Sequence, residues 1–231
     1  MNYKIPENIE VIIFDLDDTL ALEKKFAYSG FEFLENKFQL THFAQSCKAL
    51  HQNGQYQNIF NNSLLALNYH HLNSDENFIK KLIVEYRSHY PIANYCLEDD
   101  ALLFLNSLKK SQARNFKLGI ITDGFSISQH NKIKILGLEN YFNKIIVTDD
   151  YDPSGKNIYW KPHPKAYLEM EQFFNVHSSN CLYIADNINK DFTVPLSRGW
   201  EALLISRKDK IHKELNKLEI YEIFDFYQIS F

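Results

Sequence analysis

The feature that most constrains this 231-residue chain is a short apolar run, Val11-Ile12-Ile13-Phe14, that stops on Asp15-Leu16-Asp17-Asp18-Thr19. A β-branched run of this length reads as a strand buried on both faces, the kind that parallel sheets use. Similar runs recur at residues 118–121, 144–147, 181–185 and 202–205. Helical spacing fills the gaps. Residues 99–110 carry apolar side chains at 101, 102, 105 and 108, residues 128–136 stop before Gly137, and residues 164–174 open on Pro164. Glycine just past a helix and proline in its first turn are the favoured end signals. Alternating strands and helices predict an α/β fold: a doubly wound, mostly parallel, Rossmann-like sheet.

From about residue 21 to residue 95 the alternation stops. Phe26, Phe31, Phe33, Leu34 and Phe38 recur at helical spacing, as do Ile59, Leu64, Leu65 and Leu67, and then Phe78, Ile79, Leu82, Ile83 and Tyr86. Asn53-Gly54, Asn73-Ser74 and Pro91 read as breaks. We expect four helices here, forming an inserted all-α domain at 21–95, with 1–20 and 96–231 as the α/β core. The insertion holds seven Lys/Arg against six Asp/Glu, a net +1, and five of the nine histidines. It reads either as a solvated bundle or as a cap that turns a mildly positive face to an anionic substrate.

Composition removes several classes. Hydrophobic residues are 45% and charged residues 23%, the balance of an ordinary globular protein, and a net charge of −4 gives no electrostatic footprint for nucleic acid. No apolar run approaches the roughly 20 residues of a membrane span. Met1 to Pro6 contains no apolar signal region. Cys47, Cys96 and Cys181 are far apart and odd in number. They read as reduced thiols of a cytoplasmic protein, packed as small core hydrophobes.

The chemistry lies where the strands end. Asp15, Asp17 and Asp18 follow the first strand directly. At about 5 Å and an effective dielectric of about 20, each pair of such charges repels by roughly 3 kcal/mol. Crowding of that kind implies a shared cation or proton, and ligands bind open α/β sheets at the carboxyl ends of strands. Chance would produce Asp-x-Asp-x-Thr only about 0.02 times in a chain of this composition. After the second strand come Thr122, Asp123 and Gly124. There a hydroxyl and two backbone N–H groups, leading into a helix, suit a phosphate oxygen. Lys161 is fixed in an extended backbone by Pro162. Asp186 and Asp191 follow the strand ending at Ala185.

In that order the four clusters resemble the haloacid dehalogenase (HAD) superfamily, most closely its phosphatases with a helical cap inserted after the first strand. The resemblance covers nearly the whole chain. It implies Mg²⁺-dependent phosphoryl transfer on a small phosphorylated metabolite. Asp15 would be the nucleophile and Asp17 the general acid and base. Lys161 and Thr122, with the amides of Asp123 and Gly124, would bind the phosphoryl group. Asp15, Asp186 and the carbonyl of Asp17 would hold the metal, with Thr19 and Asp191 supporting them. Two departures stand out. Ala185 occupies a position where the family usually has glycine, and residues 149–160 form a longer segment than is usual, whose Asp149, Asp150 and Asp152 read as surface turn residues.

Rival readings remain at this point. A haloalkanoate dehalogenase lacks the acid two residues after the nucleophile, so Asp17 speaks against it. A phosphomutase keeps that acid. A silent phosphate-binding or scaffold module would be expected to have lost one of these residues. A receiver-like phosphoacceptor sits mid-chain in a shorter domain. Nothing in the sequence fixes an oligomeric state, or says which of His42, His51, His70, His71, Tyr28, Tyr69 and Arg87 would select a substrate.

Overall fold

The computed structural model describes residues 2–91, 95–152, 154–211 and 215–231. In chain order the elements are β1 (Tyr3–Lys4), β2 (Val11–Phe14), α1 (Glu23–Phe38), α2 (Phe43–Gln52), α3 (Ile59–Ala66), α4 (His70–Asn73), α5 (Glu76–Ser88), α6 (Asp99–Lys110), β3 (Lys117–Thr122), α7 (Ser126–Ile135), β4 (Lys144–Val147), α8 (Lys165–Phe174), β5 (Cys181–Ala185), α9 (Thr193–Arg198), β6 (Glu201–Ile205), β7 (Tyr221–Ile223) and β8 (Ile229–Ser230). The chain forms two compact units, Met1–Glu23 with Cys96–Phe231, and Lys24–Tyr95.

The first unit is built on a six-stranded sheet of order β4-β3-β2-β5-β6-β7, parallel throughout. The chain lays strands to one side of β2, then returns and lays the rest on the other. β2 is therefore the switch point, and Phe14 pairs with both Ile120 and Ile184. Three strand ends thus meet at one rim, the place where open α/β sheets bind ligands. The strands are buried because both faces are covered. One side packs Ile13, Ile121, Tyr167, Met170, Tyr183 and Trp200. On the other, the Phe14 ring lies 6.4 Å from Phe104, 5.7 Å from Phe142 and 6.0 Å from Phe226, centroid to centroid. Gly119 lets α8 approach β3 closely, since a Cβ there would meet the Met170 sulfur at 3.0 Å.

The helical end signals act as expected. Gly137 takes φ +62° after α7, and Pro164 immediately precedes α8. The short elements β1, β7, β8 and α9 have no counterpart in the sequence reading, because two to six residues carry too little periodicity to register.

The second unit is helical, with no strand among its described residues. Its described residues form five helices, against the four expected, the extra one being the single turn α4. Phe31, Leu34, Phe43, Leu64 and Leu82 form its core. Asp75 starts α5 by accepting from the amides of Asn77 and Phe78 at 2.9 and 3.2 Å. His51 is buried against the rings of Tyr28, Phe31 and Tyr56. Burial, then the charge of Lys24, hold its pKa below the ordinary value, so His51 is a packed, neutral core residue.

Two findings correct or extend the reading of polar and sulfur groups. Cys47 and Cys181 are buried, but Cys96 is exposed. It lies in an extended stretch between buried Tyr95 and Leu97, where alternation turns the middle side chain outward. Asp100 and Arg207 form a buried pair at 3.0 Å. Asp100 also accepts from the Phe226 amide at 2.8 Å, and Arg207 Nε donates to the Thr19 carbonyl at 2.8 Å. No helix among the described residues is long and apolar enough to cross a membrane.

Two outcomes follow. Burial pushes the Cys47 and Cys181 thiols up to about 12. A thiol reagent at about pH 8 should therefore modify one cysteine per native chain, Cys96, and three after denaturation. Asp100→Ala should lower the free energy of unfolding by about 3–5 kcal/mol in a denaturant titration, because it strands a buried guanidinium.

Candidate active site

Asp15 leaves the end of β2 with its amide still donating to Ile184 O at 3.0 Å, so the sheet itself fixes this residue. Its Oδ1 accepts from the Leu16 amide at 2.7 Å. The loop then turns sharply. Asp18 adopts φ +55°, and its two oxygens accept from the amides of Glu23 at 2.9 Å and Ile211 at 2.7 Å. Burial, then the charge of Glu23, push the Asp18 carboxyl up to about 7. Asp18 is thus a brace for the loop. Arg207 ties down the same loop at the Thr19 carbonyl. Thr19 is fully buried.

Lys161 enters this rim from the loop before α8. Its Nζ lies 3.0 Å from Asp15 Oδ1, 2.7 Å from Asp191 Oδ1, 3.2 Å from the Tyr183 hydroxyl and 3.4 Å from Ile121 O. Burial opposes the ammonium form, but Asp15 and Asp191 outweigh it and hold the Lys161 pKa well above its ordinary value. Asp191 is itself fixed, since its Oδ2 accepts from the Asn187 amide at 3.0 Å.

Asp15, Asp186 and Asp191 bring carboxylate oxygens within 4.8 Å of one another, all three buried. Two further lysines stand at this rim: Lys210 Nζ donates to Asp186 O at 2.8 Å, and Lys190 Nζ lies 3.5 Å from Asp123 Oδ2. Asp186 Oδ2 is buried and accepts no hydrogen bond from the described residues. Burial, then the charges of Asp191 and Asp15, raise the Asp186 carboxyl well above the carboxylate range. An all-oxygen, negatively charged cluster with an orphaned buried oxygen is a donor set that fits a hard divalent cation such as Mg²⁺. The Asp17 carboxylate is not part of this cluster. It points at α7, where Lys132 Nζ lies 2.8 and 2.7 Å from its two oxygens and Gln129 Nε2 is 2.9 Å from Oδ2.

Thr122 closes the rim from β3. It is fully buried, and its Oγ1 lies 2.6 Å from Gln129 Nε2. Gly124 has φ +133°, and a Cβ there would meet Gln129 at 2.9 Å, so both backbone and space require glycine. The Asp123 side chain fastens the Lys161 loop to β3, because its Oδ1 accepts from the Lys161 amide at 3.0 Å and from the Thr148 hydroxyl at 2.7 Å.

Residues 15, 122, 161 and 186 therefore share one rim, at the carboxyl ends of β2, β3 and β5. Ala185 ends β5 in ordinary extended conformation, so the missing glycine imposes no strain. Asp149 is more than the surface turn residue expected. Its Oδ2 caps the Ser126 amide at 2.8 Å and its Oδ1 accepts from the Trp160 indole at 3.3 Å, latching the long segment onto the start of α7. Asp150 likewise reaches α7, accepting from the Ser126 hydroxyl at 2.6 Å and lying 2.9 Å from His130 Nε2, while Asp152 makes only a local turn contact with Ser154. The sequence reading missed Gln129, Lys132, Tyr183 and Arg207, whose partners are distant along the chain.

The rim gathers buried acids, a lysine and a hydroxyl at the strand ends of a parallel α/β sheet. The sequence profile of haloacid dehalogenase-like hydrolases matches residues 12–195, and the chain belongs to that family. A glyceraldehyde 3-phosphate phosphatase from Pyrococcus furiosus is 24% identical over 79% of this chain and 75% of its own length. Another from Methanopyrus kandleri is 26% identical, but the match spans only 41% of that protein's length and 44% of this chain. Among solved structures, YfnB from Bacillus subtilis bound to magnesium superposes with a TM-score of 0.63 at 18% identity, over 95% of this chain and 96% of that one. A predicted phosphoglycolate phosphatase from Haemophilus somnus gives 0.65 at 17%, over 95% of each. At such identities the structural likeness is one of fold.

The cation fit has a direct check. Mg²⁺ titrated by calorimetry should bind the wild-type chain and raise its melting temperature, as any ligand of the native state does. Asp186→Asn should weaken that binding at least about tenfold, since the ligand set loses a charged donor.

Proposed function

We propose that this protein is a Mg²⁺-dependent phosphatase that hydrolyses a small-molecule phosphomonoester through an aspartyl-phosphate on Asp15. The observation that carries the reading is Lys161 at 3.0 Å from Asp15, inside a ring of buried acids. A lysine held as an ammonium beside a carboxylate nucleophile suits a doubly charged phosphoryl group, because it offsets the repulsion between the two anions. The family membership and the phosphatase names of the relatives support the same class of reaction.

In this reading Asp15 attacks phosphorus and the ester P–O bond breaks. The leaving oxygen takes a proton from Asp17. Asp17, now a carboxylate, removes a proton from water, whose oxygen attacks the phosphorus of the acyl phosphate. The P–O bond to Asp15 breaks, and inorganic phosphate departs. Splitting the displacement in two lets one carboxylate serve both halves. Lys161, the Thr122 hydroxyl and the amides of Asp123 and Gly124 bind the phosphoryl oxygens throughout. The carboxylates of Asp15 and Asp186 and the Asp17 carbonyl would hold the cation, which when bound neutralises phosphoryl charge. Asp191 holds Lys161 in place, and Thr19 supports the nucleophile loop. The helical unit 24–95 would correspond to the inserted cap domain of such phosphatases. Unpaired cysteines suit a reducing compartment such as the cytoplasm.

Purified protein should hydrolyse 4-nitrophenyl phosphate with Mg²⁺ and not with a chelator. Asp15→Asn should abolish turnover, and Asp17→Asn should lower it about 10²–10⁴-fold. Turnover of 2-haloacids in place of phosphate esters would reverse the assignment.

A further inference from the structure

Helix α7 buries the wrong side chains for an amphipathic helix. Ser128, Gln129 and Lys132 are inside with Ile133, while Ile127 and Ile135 are 52% and 39% exposed. Lysine is almost never buried without a partner. An arrangement that hides Lys132 and Gln129 while wetting two isoleucines needs a reason beyond packing.

The reason lies in what the two polar side chains grip. Lys132 Nζ meets both oxygens of Asp17, at 2.8 and 2.7 Å. Gln129 Nε2 is within reach of Asp17 Oδ2 at 2.9 Å, Thr122 Oγ1 at 2.6 Å and Asp123 O at 2.7 Å. An amide NH₂ has two hydrogens. Three acceptors therefore compete for two bonds, and the Asp17 contact, the longest of the three, is the one most readily given up. If Asp17 turns toward a leaving oxygen, both Gln129 hydrogens remain satisfied by Thr122 and Asp123. Neither Gln129 hydrogen is orphaned by that motion, so the amide does not oppose it.

We infer that Gln129 and Lys132 are positioning residues, which aim the Asp17 carboxylate and tie its orientation to the Thr122 hydroxyl. The inference rests on the phosphatase reading above and adds to it a device that sets the acid–base group and the phosphate-side hydroxyl from one helix. Lys132 clamps both carboxylate oxygens, removing free rotation. Gln129 supplies the exchangeable contact. Neither side chain needs to touch substrate, so the effect of losing either should fall on the step that Asp17 serves.

Protonation of the leaving group matters most when that group is a poor one. The test therefore compares the single-turnover rate of phenol release, which reads phosphorylation of Asp15 before water enters, for phenyl phosphate and for 4-nitrophenyl phosphate, whose phenol leaves readily unprotonated. Lys132→Met and Gln129→Leu should each lower that rate for phenyl phosphate about tenfold or more, a fraction of the 10²–10⁴ range for acid–base catalysis. For 4-nitrophenyl phosphate the loss in that rate should stay below about threefold. Lys132→Met should leave KM for both esters within about twofold of wild type, whereas Gln129→Leu, which frees the Thr122 hydroxyl, should raise KM for both alike. Lys132→Arg, which keeps the charge, should recover part of the loss. In an Asp17→Asn background Lys132→Met should cost nothing further, as expected for residues acting through one another. Melting temperatures identify a variant that fails to fold. Gln129→Leu removes no charge and keeps the test available if Lys132→Met does not survive. Equal losses on both esters, or a full additional loss in the Asp17→Asn background, would overturn the inference alone. A wild-type chain inactive on both esters would take the phosphatase reading down with it.

Discussion

The structure depends on a lysine that is surrounded by acids. Lys161 is buried, and an isolated ammonium there would be strongly disfavoured. Asp15 at 3.0 Å and Asp191 at 2.7 Å make its burial tolerable. The reverse also holds: without the lysine, Asp15, Asp186 and Asp191 could not remain this close. Lys190 and Lys210 add positive charge at the same rim. Asp186 Oδ2 still accepts no hydrogen bond from the described residues, which suits the cluster to a divalent ion.

That charge cluster is assembled by topology. Only at a switch point do three adjacent parallel strands come from both halves of the winding, and β2, β3 and β5 occupy it. The register that pairs Phe14 with Ile120 and Ile184 delivers Asp15, Thr122 and Asp186 to one rim. Distant residues then stiffen the rim. Asp123 fastens the Lys161 loop, Arg207 fastens the loop after Asp15 through the Thr19 carbonyl, and Asp149 fastens α7. None of these three needs to meet substrate to matter.

Much of this was legible in the sequence. The sheet could be read because a strand buried on both faces is an unbroken apolar run, and such runs are hard to mistake. The acids could be read because carboxylates crowded after such a run have few structural uses. Most of what could not be read shares one physical cause: the residue's partner lies far away in sequence. Lys132 looks like a solvent-facing lysine until Asp17, 115 positions away, is seen beside it. Arg207 and Asp100 are 107 residues apart. Asp149 looked like a turn residue because its partners, Ser126 and Trp160, sit on other elements. Cys96 was misassigned because cysteine is usually buried, whereas here strand-like alternation decided its side. The single turn α4 was too short to carry a period at all.

The central claim is that Asp15 becomes phosphorylated during turnover, and rapid-quench trapping tests it most directly. Protein mixed with a ³²P-labelled phosphomonoester, quenched in acid and digested, should carry label on the peptide containing residue 15. That label should be released by hydroxylamine, as an acyl phosphate is. Ester hydrolysis that proceeds with no label on that peptide at any quench time would contradict the account.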